Sequence, residues 1–139
     1  MRIFLDASVV LAACGRPAGG SRAIFDFAPR NGWRLLTSRY VLNEVARNLT
    51  KLPSPALTVW PTLSPRLTVT RDVWTMDRPA VFEPAKDRPV LFTSAAWAKV
   101  LLTLDTGDFG GVMETGFYHL SVMRPGPFLE RERAAGRLK

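Results

Sequence analysis

Two kinds of pattern alternate along this chain: short apolar runs, and longer segments with apolar residues every three or four positions. An unbroken apolar run such as residues 2–6 (RIFLD) is typical of a parallel strand covered on both faces. The spacing in residues 38–52 (SRYVLNEVARNLTKL) instead predicts an amphipathic helix. The predicted strands cover residues 2–6, 34–37, 66–70, 100–104 and 118–123. The predicted helices cover residues 7–14, 20–30, 38–52, 88–99 and 127–139.

Strands that alternate with helices predict an α/β fold, because consecutive parallel strands need a crossover connection that is usually helical. The sequence therefore predicts a single three-layer α/β/α domain over residues 1–139, with a mostly parallel central sheet. The prolines between residues 53 and 65 predict that any helix there is short or kinked. Residues 71–83 are predicted to form a polar connection in which Trp74 is buried.

The composition fits a soluble protein with one core, since 47% of the 139 residues are hydrophobic. No apolar run reaches the ~18 residues of a membrane span. The segment ending at Cys14 looks like a lipoprotein cleavage site, but Asp6 interrupts the apolar stretch, which is shorter than the ~15–30 residues of a secretory signal. Cys14 is the only cysteine, so no intrachain disulfide can form and we expect a cytoplasmic location.

The charge balance is basic, with 19 Lys and Arg against 12 Asp and Glu and a formal net charge of +7. A surface of this sign attracts polyanions, which favours RNA, DNA or an acidic protein as partner. The arginines are scattered along the chain rather than clustered, so the charge alone is weak evidence of function.

Acidic residues stand where the predicted strands end. Asp6 and Asp105 each follow an apolar strand directly, and a carboxylate is costly to bury there without a partner. Asp87 begins the helix that leads into the Asp105 strand, and Glu44 lies about two turns into the helix after the second strand. Because the carboxyl ends of parallel strands meet at one edge of a sheet, these four side chains are expected to converge.

Four carboxylates at one place need a cation. Two unit charges ~4 Å apart repel each other by about 4 kcal/mol at an effective dielectric constant of ~20. Oxygen ligands without Cys or His at metal-binding spacing favour Mg²⁺ or Mn²⁺ over zinc. A site of this kind suits the hydrolysis of phosphodiester bonds.

Each acid also has a structural interpretation that the sequence leaves open. Asp6 and Asp87 stand where helix caps are favoured, near the positive end of the helix dipole. Glu44 could be a solvated helix residue, and Asp105 could begin a tight turn. The coincidence of all four positions with one edge of one sheet favours the metal site.

The same residues, in this order, make the chain resemble the PIN domains. The resemblance rests on Leu5-Asp6-Ala7-Ser8, on Ser38 and Glu44 in TSRYVLNEVARNL, on KDRPVL from residue 86, and on LTLD ending at Asp105. PIN domains are metal-dependent ribonucleases, and small members are toxins of toxin–antitoxin pairs. The resemblance implies a PIN-like fold, an endoribonuclease activity with Mg²⁺ or Mn²⁺, an RNA substrate, an antitoxin partner and a homodimer.

The resemblance also assigns roles to single residues. The implied catalytic and metal-binding acids are Asp6, Glu44, Asp87 and Asp105, and the implied supporting hydroxyls are Ser8 and Thr103. Family members often carry a further acid two residues after the strand-end Asp, whereas here Asp108 stands at three. Asp108 is therefore expected either to bind metal through water or to cap a Gly-rich turn.

Three arginines flank the segments that carry the acids, and we expect them to hold RNA phosphates: Arg16, Arg39 and Arg88. An alternative hypothesis is a PIN-like domain that no longer cuts and serves as an RNA-binding or protein-interaction module. A more distant one is a phosphotransferase with Asp6 as nucleophile, but such enzymes commonly carry a second acid at the position of Ser8. The complete set of four acids favours the nuclease.

Overall fold

The centre of the protein is a five-stranded sheet in which every neighbouring pair is parallel. The computed structural model describes all residues 1–139. The strand order is β3-β2-β1-β4-β5, and the sheet is flanked by seven α-helices, which confirms the predicted α/β fold class. The strands are β1 (Arg2–Leu5), β2 (Arg34–Ser38), β3 (Thr68–Thr70), β4 (Val100–Leu102) and β5 (Ser121–Met123).

All five predicted helices are present, and two further α-helices complete the set. The α-helices are α1 (Ala7–Gly15), α2 (Gly20–Asn31), α3 (Arg39–Leu49), α4 (Pro55–Leu63), α5 (Arg88–Trp97), α6 (Thr106–Thr115) and α7 (Pro125–Ala134). Short 3₁₀ turns cover Ser64–Arg66 and Ala85–Asp87. Helix α1 packs against α2, α3 and α4, and α2 also packs against α7. None of these helices combines the length and the apolar character that crossing a bilayer would require.

The core lies on the central strands and the helices that cover them. Ile3, Phe4 and Leu5 of β1 are fully buried, as are Leu101 and Leu102 of the neighbouring β4. Fully burying a side chain of this size contributes about 1.5–3 kcal/mol to folding. The apolar run that opens the sequence is therefore buried because it forms the middle strand of a sheet.

The pairing of β1 with β4 decides what stands at the carboxyl edge of the sheet. Leu5 pairs with Leu102, and the backbone N–H of Asp6 donates to the carbonyl of Leu102 at 3.0 Å. The residues that directly follow the two strands therefore leave the sheet side by side. This pairing brings the segment that ends at Asp105 next to Asp6.

Several local predictions are wrong. The Gly-rich segment after Asp105 forms helix α6 rather than a turn, because Asp105 caps it and Phe109 is fully buried. Strand β5 begins at Ser121 rather than at residue 118, because Tyr118 has φ 54°, in the left-handed region where a strand cannot continue. Trp74 is 60% exposed rather than buried.

Candidate metal centre

Asp6 ends β1 as a buried carboxylate that is held on both oxygens. Its side chain is 6% exposed, and its Oδ1 accepts the backbone N–H of Ala7 at 2.8 Å. Its Oδ2 accepts the hydroxyls of Thr103 at 2.7 Å and Ser8 at 3.1 Å. Burial raises the pKa of Asp6, and these hydrogen bonds oppose that rise. The carboxylate is therefore fixed in one orientation at the edge of the sheet.

The two hydroxyls also hold the chain segment that follows β4. Ser8 Oγ accepts the backbone N–H of Leu104 at 3.0 Å, and Thr103 Oγ1 accepts the backbone N–H of Asp105 at 3.1 Å. Each hydroxyl thus donates to Asp6 and accepts from the backbone leading to the next acid. The geometry suits the supporting role that the sequence resemblance implies for Ser8 and Thr103.

Three carboxylates meet beside this network. Asp87, Asp105 and Asp108 each offer an oxygen, and these oxygens lie within 4.8 Å of one another. Asp105 caps α6, since its Oδ1 accepts the backbone N–H of Asp108 at 2.9 Å. Because α6 begins directly after Asp105, Asp108 falls in the first turn and lies near the acid that caps the helix. The three-residue spacing is the spacing of a capped helix, so it brings Asp108 into the cluster.

Asp87 does not do what a helix cap does. It precedes α5, but its side chain accepts no hydrogen bond from the first turn of that helix. Its Oδ2 is buried and has no hydrogen-bond partner. A buried carboxylate oxygen without a hydrogen-bond donor is costly, and a bound cation is one way to satisfy it. Asp87 therefore stands at the N-cap position of α5 without capping it through its side chain, whereas Asp6 and Asp105 do accept capping hydrogen bonds.

Burial first, and the neighbouring negative charges second, raise the pKa values of two acids at this site. Burial raises the pKa of Asp87 to about 7, and the adjacent Asp108 carboxylate adds to the rise. Burial also raises the pKa of Glu44, and the charge of Asp6 raises it further. The exposed ammonium of Lys86 lies 3.5 Å from Asp108 Oδ2. Lys86 and Arg47 are two cations near five acids, so the site keeps a negative field.

The structure thus divides the five sequence-predicted acids into two groups. Asp87, Asp105 and Asp108 form the tight cluster, and Asp108, which the sequence left in doubt, is part of it. Asp6 and Glu44 lie outside this cluster but close to it. The charge of Asp6 raises the pKa values of Glu44 and Asp87, and the charge of Asp105 also raises that of Glu44. The donors are all oxygens, one of them buried and unpartnered, so the residues fit a hard divalent cation.

The three arginines predicted to bind RNA have different surroundings. Arg16 follows α1 and Arg39 begins α3, and both are exposed. Arg88 uses its Nε to donate to the carbonyl of Phe82 at 2.7 Å, which ties the connection before α5 to that helix. None of the three forms an ion pair with the acids.

An aromatic pair beside the acids was missed at the sequence level. The ring of Trp74 meets the ring of Tyr40 edge to face at 5.4 Å between centroids, and the Tyr40 hydroxyl donates to the carbonyl of Lys86, next to Asp87. Burial raises the pKa of Tyr40, and the charges of Glu44 and Asp87 raise it further, as expected for a phenol close to the cluster. A lone Trp in a polar connection was the only signal for this arrangement.

Comparison with known proteins identifies the fold. No protein-family model matches the chain, and no curated protein matches it. The structure resembles a chain in the crystal structure of VapBC2 from Rickettsia felis bound to a DNA fragment from their promoter, with a TM-score of 0.59 and 13% sequence identity. The match covers 88% of this chain and 97% of that chain.

A second similar structure is that of VapC20 from Mycobacterium tuberculosis, described as a sarcin-ricin loop cleaving toxin. Its TM-score is 0.48 with 17% identity, and the match covers 78% of this chain and 94% of that chain. The similarity to the Rickettsia felis structure confirms the predicted resemblance to PIN domains at the level of the fold.

Proposed function

We propose that this protein is a divalent-metal-dependent endoribonuclease of PIN type that hydrolyses RNA phosphodiester bonds. The observation that carries the proposal is the meeting of Asp87, Asp105 and Asp108 within 4.8 Å, beside an oxygen of Asp87 that is buried without a partner. The basic net charge of +7 supports a polyanionic substrate. The proposed cofactor is Mg²⁺ or Mn²⁺, because the donors are hard oxygens.

The residues of such a site would have separate roles in binding the metal, orienting a carboxylate and binding substrate. Asp87, Asp105 and Asp108 would hold the metal, with Asp6 and Glu44 as the remaining acids. The chemistry that a divalent cation would supply there is polarisation of the phosphoryl group and a lower pKa for a bound water. Ser8 and Thr103 donate to Asp6 and keep its carboxylate in one orientation. Lys86, exposed beside Asp108, is suited to bind a substrate phosphate.

The biological setting is also part of this proposal. We infer that the enzyme acts in the cytoplasm as the toxin of a toxin–antitoxin pair, with a cognate antitoxin as partner, and that it forms a homodimer. The support is the fold shared with the Rickettsia felis VapBC2 structure together with the sequence resemblance to small PIN toxins. Coexpression with the product of a neighbouring short reading frame, followed by cleavage assays, tests the inhibitory partner.

The central experiment is cleavage of a single-stranded RNA by the purified protein with EDTA, Mg²⁺ or Mn²⁺, beside a DNA of the same sequence. We expect cleavage of the RNA only with added metal. Asp105→Asn should lose most of this activity, whereas Asp26→Asn, at an exposed position on α2, should keep it. Undiminished cleavage in EDTA would overturn the metal mechanism. Binding of RNA by the parent without cleavage under any condition would favour the non-cutting module.

A further inference from the structure

A small cavity lies where the amino-terminal ends of α2 and α7 meet. It measures about 180 Å³, and its walls include Arg16, Gly20, Ser21, Leu104 and Gly126. The two helix ends are in direct contact, because a Cβ added to Gly20 would lie 3.4 Å from the backbone nitrogen of Gly126.

Both helix ends present backbone N–H groups that have no acceptor. Gly19 caps α2 without a side-chain hydrogen bond, and the N–H groups of Gly20 and Ser21 donate to no acceptor in the protein. Helix α7 begins at Pro125 with no side-chain cap, and the N–H of Gly126 is likewise free. Side chains normally accept the hydrogen bonds of such orphan donors. Here the three residues that carry them line one cavity.

The electrostatics of the cavity favour an anion. Each helix dipole places about half a positive charge at its amino-terminal end, and two such ends lie together here. Neither helix has an acidic residue in its first turn to offset that charge. Arg16 lines the same cavity, and its side chain carries a full positive charge. The walls therefore provide positive potential and N–H donors but no acceptor with negative charge.

Ser21 provides an independent indication of a ligand. It is only 5% exposed and lines the cavity, yet its hydroxyl makes no hydrogen bond within the protein. Unlike the hydroxyl of Thr37, which is fully buried without a partner, the hydroxyl of Ser21 is open to the cavity and is free to donate to a molecule bound there. A phosphate oxygen would accept this hydroxyl together with the neighbouring N–H groups.

The cavity lies on the same edge of the sheet as the acids. Leu104 forms part of its wall, and this residue separates Thr103, which binds Asp6, from Asp105 of the acid cluster. The backbone N–H of Leu104 donates to Ser8 Oγ, so the cavity wall is hydrogen-bonded into the network around Asp6. A polyanionic strand lying across this edge could therefore reach both places.

We propose that this cavity binds a phosphate group of the RNA strand other than the one that is cut. The inference rests on the proposed function for its substrate, and it names where a second backbone phosphate is held. The donors are the N–H groups of Gly20, Ser21 and Gly126, the Ser21 hydroxyl and the Arg16 guanidinium. Contacts of this kind position the strand without reading its bases.

Substitution of Ser21 tests whether this residue belongs to an anion site or has only a structural role, because the two hypotheses predict different RNA affinities. In Ser21→Asp, a carboxylate enters the first turn of α2, where it is favoured by the free N–H groups and the dipole, so the melting temperature should rise. The same carboxylate repels phosphate, so RNA affinity should fall roughly tenfold. Thr58→Asp, with the same charge change on exposed α4, should alter affinity far less. Arg16→Gln should reduce the salt slope of RNA binding by about one.

The measurements are RNA affinity by fluorescence anisotropy in EDTA and amide chemical shifts by NMR. RNA should shift the amide signals of Gly20, Ser21 and Gly126 in the parent, and Ser21→Asp should abolish those shifts. Inorganic phosphate is titrated separately: a response to phosphate but not to RNA would overturn the proposal in favour of a free-phosphate site. Unchanged RNA affinity in Ser21→Asp, with unmoved amides, would also overturn it. Amide shifts on RNA binding by a protein that never cleaves RNA would support this site while refuting the nuclease.

Discussion

Replacing Asp87 by Asn distinguishes an acid that repels its neighbours from an acid that serves folding. Asn caps helices about as well as Asp, and Asp87 makes no capping hydrogen bond in any case. Its buried Oδ2 has no partner, and Asp108 lies next to it. We therefore expect Asp87→Asn to be more stable than the parent protein when no metal is present.

The size of this gain follows from the pKa of Asp87. Burial, with the Asp108 carboxylate, raises that pKa from 3.8 to about 7. Between these values the folded protein keeps a proton that the unfolded chain has lost, so the free energy of unfolding falls as pH rises through this range. One pKa unit is worth about 1.36 kcal/mol, which sets an upper limit of about 4 kcal/mol for the cost of ionised Asp87 above pH 7. The same contact lowers the pKa of Asp108, which offsets part of this cost, and the new amide must also be buried. We therefore expect a gain of about 1–2 kcal/mol at pH 8 and little at pH 4.5.

Urea denaturation of the parent, Asp87→Asn and the control Asp26→Asn tests this expectation. In EDTA, the stability of the parent should fall between pH 4.5 and pH 8, and that of the Asp87 variant should fall much less. Excess Mn²⁺ should stabilise the parent by about 2.7 kcal/mol at a hundredfold excess over the dissociation constant. The Asp87 variant should lose most of that stabilisation and most of its RNA cleavage, and Asp26→Asn should behave like the parent.

Two results would refute the reasoning. A variant that is less stable than the parent in EDTA at pH 8 would mean that the Asp87 carboxylate stabilises the fold, as a structural residue does. A variant that keeps both the metal-induced stabilisation and full cleavage would show that Asp87 is not a ligand. The first result concerns repulsion among the acids and the second concerns the metal, so the two can be separated.

Three further predictions concern other parts of the molecule. Thr103→Val removes a hydrogen bond to the acid that ends β1 and should lower stability by about 1–3 kcal/mol and reduce cleavage, as measured by urea denaturation and RNA assays. Glu132→Gln should destabilise the protein by about 1–2 kcal/mol at pH 7, because buried Glu132 accepts the Arg137 guanidinium at 2.5 Å. The hydrogen bond from Arg137 lowers the pKa of Glu132. The stability difference between the parent and Glu132→Gln should therefore be complete above pH 4.5 and disappear as the pH falls further. The control Glu130→Gln, at an exposed position, should show no such loss. Trp74→Ala should weaken binding of single-stranded RNA by about tenfold through lost base stacking, with little change in melting temperature, and unchanged anisotropy would contradict it.

The fold could be predicted because its elements carry strong local patterns. The run over residues 2–6 is apolar because β1 is covered on both faces, and the helical spacing after Ser38 matches the buried face of α3. Helix α6 could not be predicted in this way. Glycines at 107, 110 and 111 each lower helix propensity by about 1 kcal/mol, and only the Asp105 cap and the burial of Phe109 in the folded protein offset them.

The role of Asp108 was harder to predict than that of the other acids for the same reason. Its place in the cluster depends on α6, because only a helix that begins directly after Asp105 brings the residue at i+3 back to its capping carboxylate. Without that helix, a spacing of three residues carries no information about contact. The position of Trp74 could not be predicted either, because its ring packs against Tyr40, a residue distant in the sequence.

The structural and functional interpretations of the acids turn out not to exclude each other. Asp6 and Asp105 each accept a backbone N–H at the start of a helix with one oxygen, while the second oxygen of Asp6 accepts the hydroxyls of Ser8 and Thr103. A capping hydrogen bond fixes a carboxylate in place, which is also what a metal ligand requires. Capping therefore gives no evidence against a metal site at these two positions. Asp87 is the informative residue, because it stands at a cap position, uses no oxygen for capping and leaves one oxygen buried without a partner.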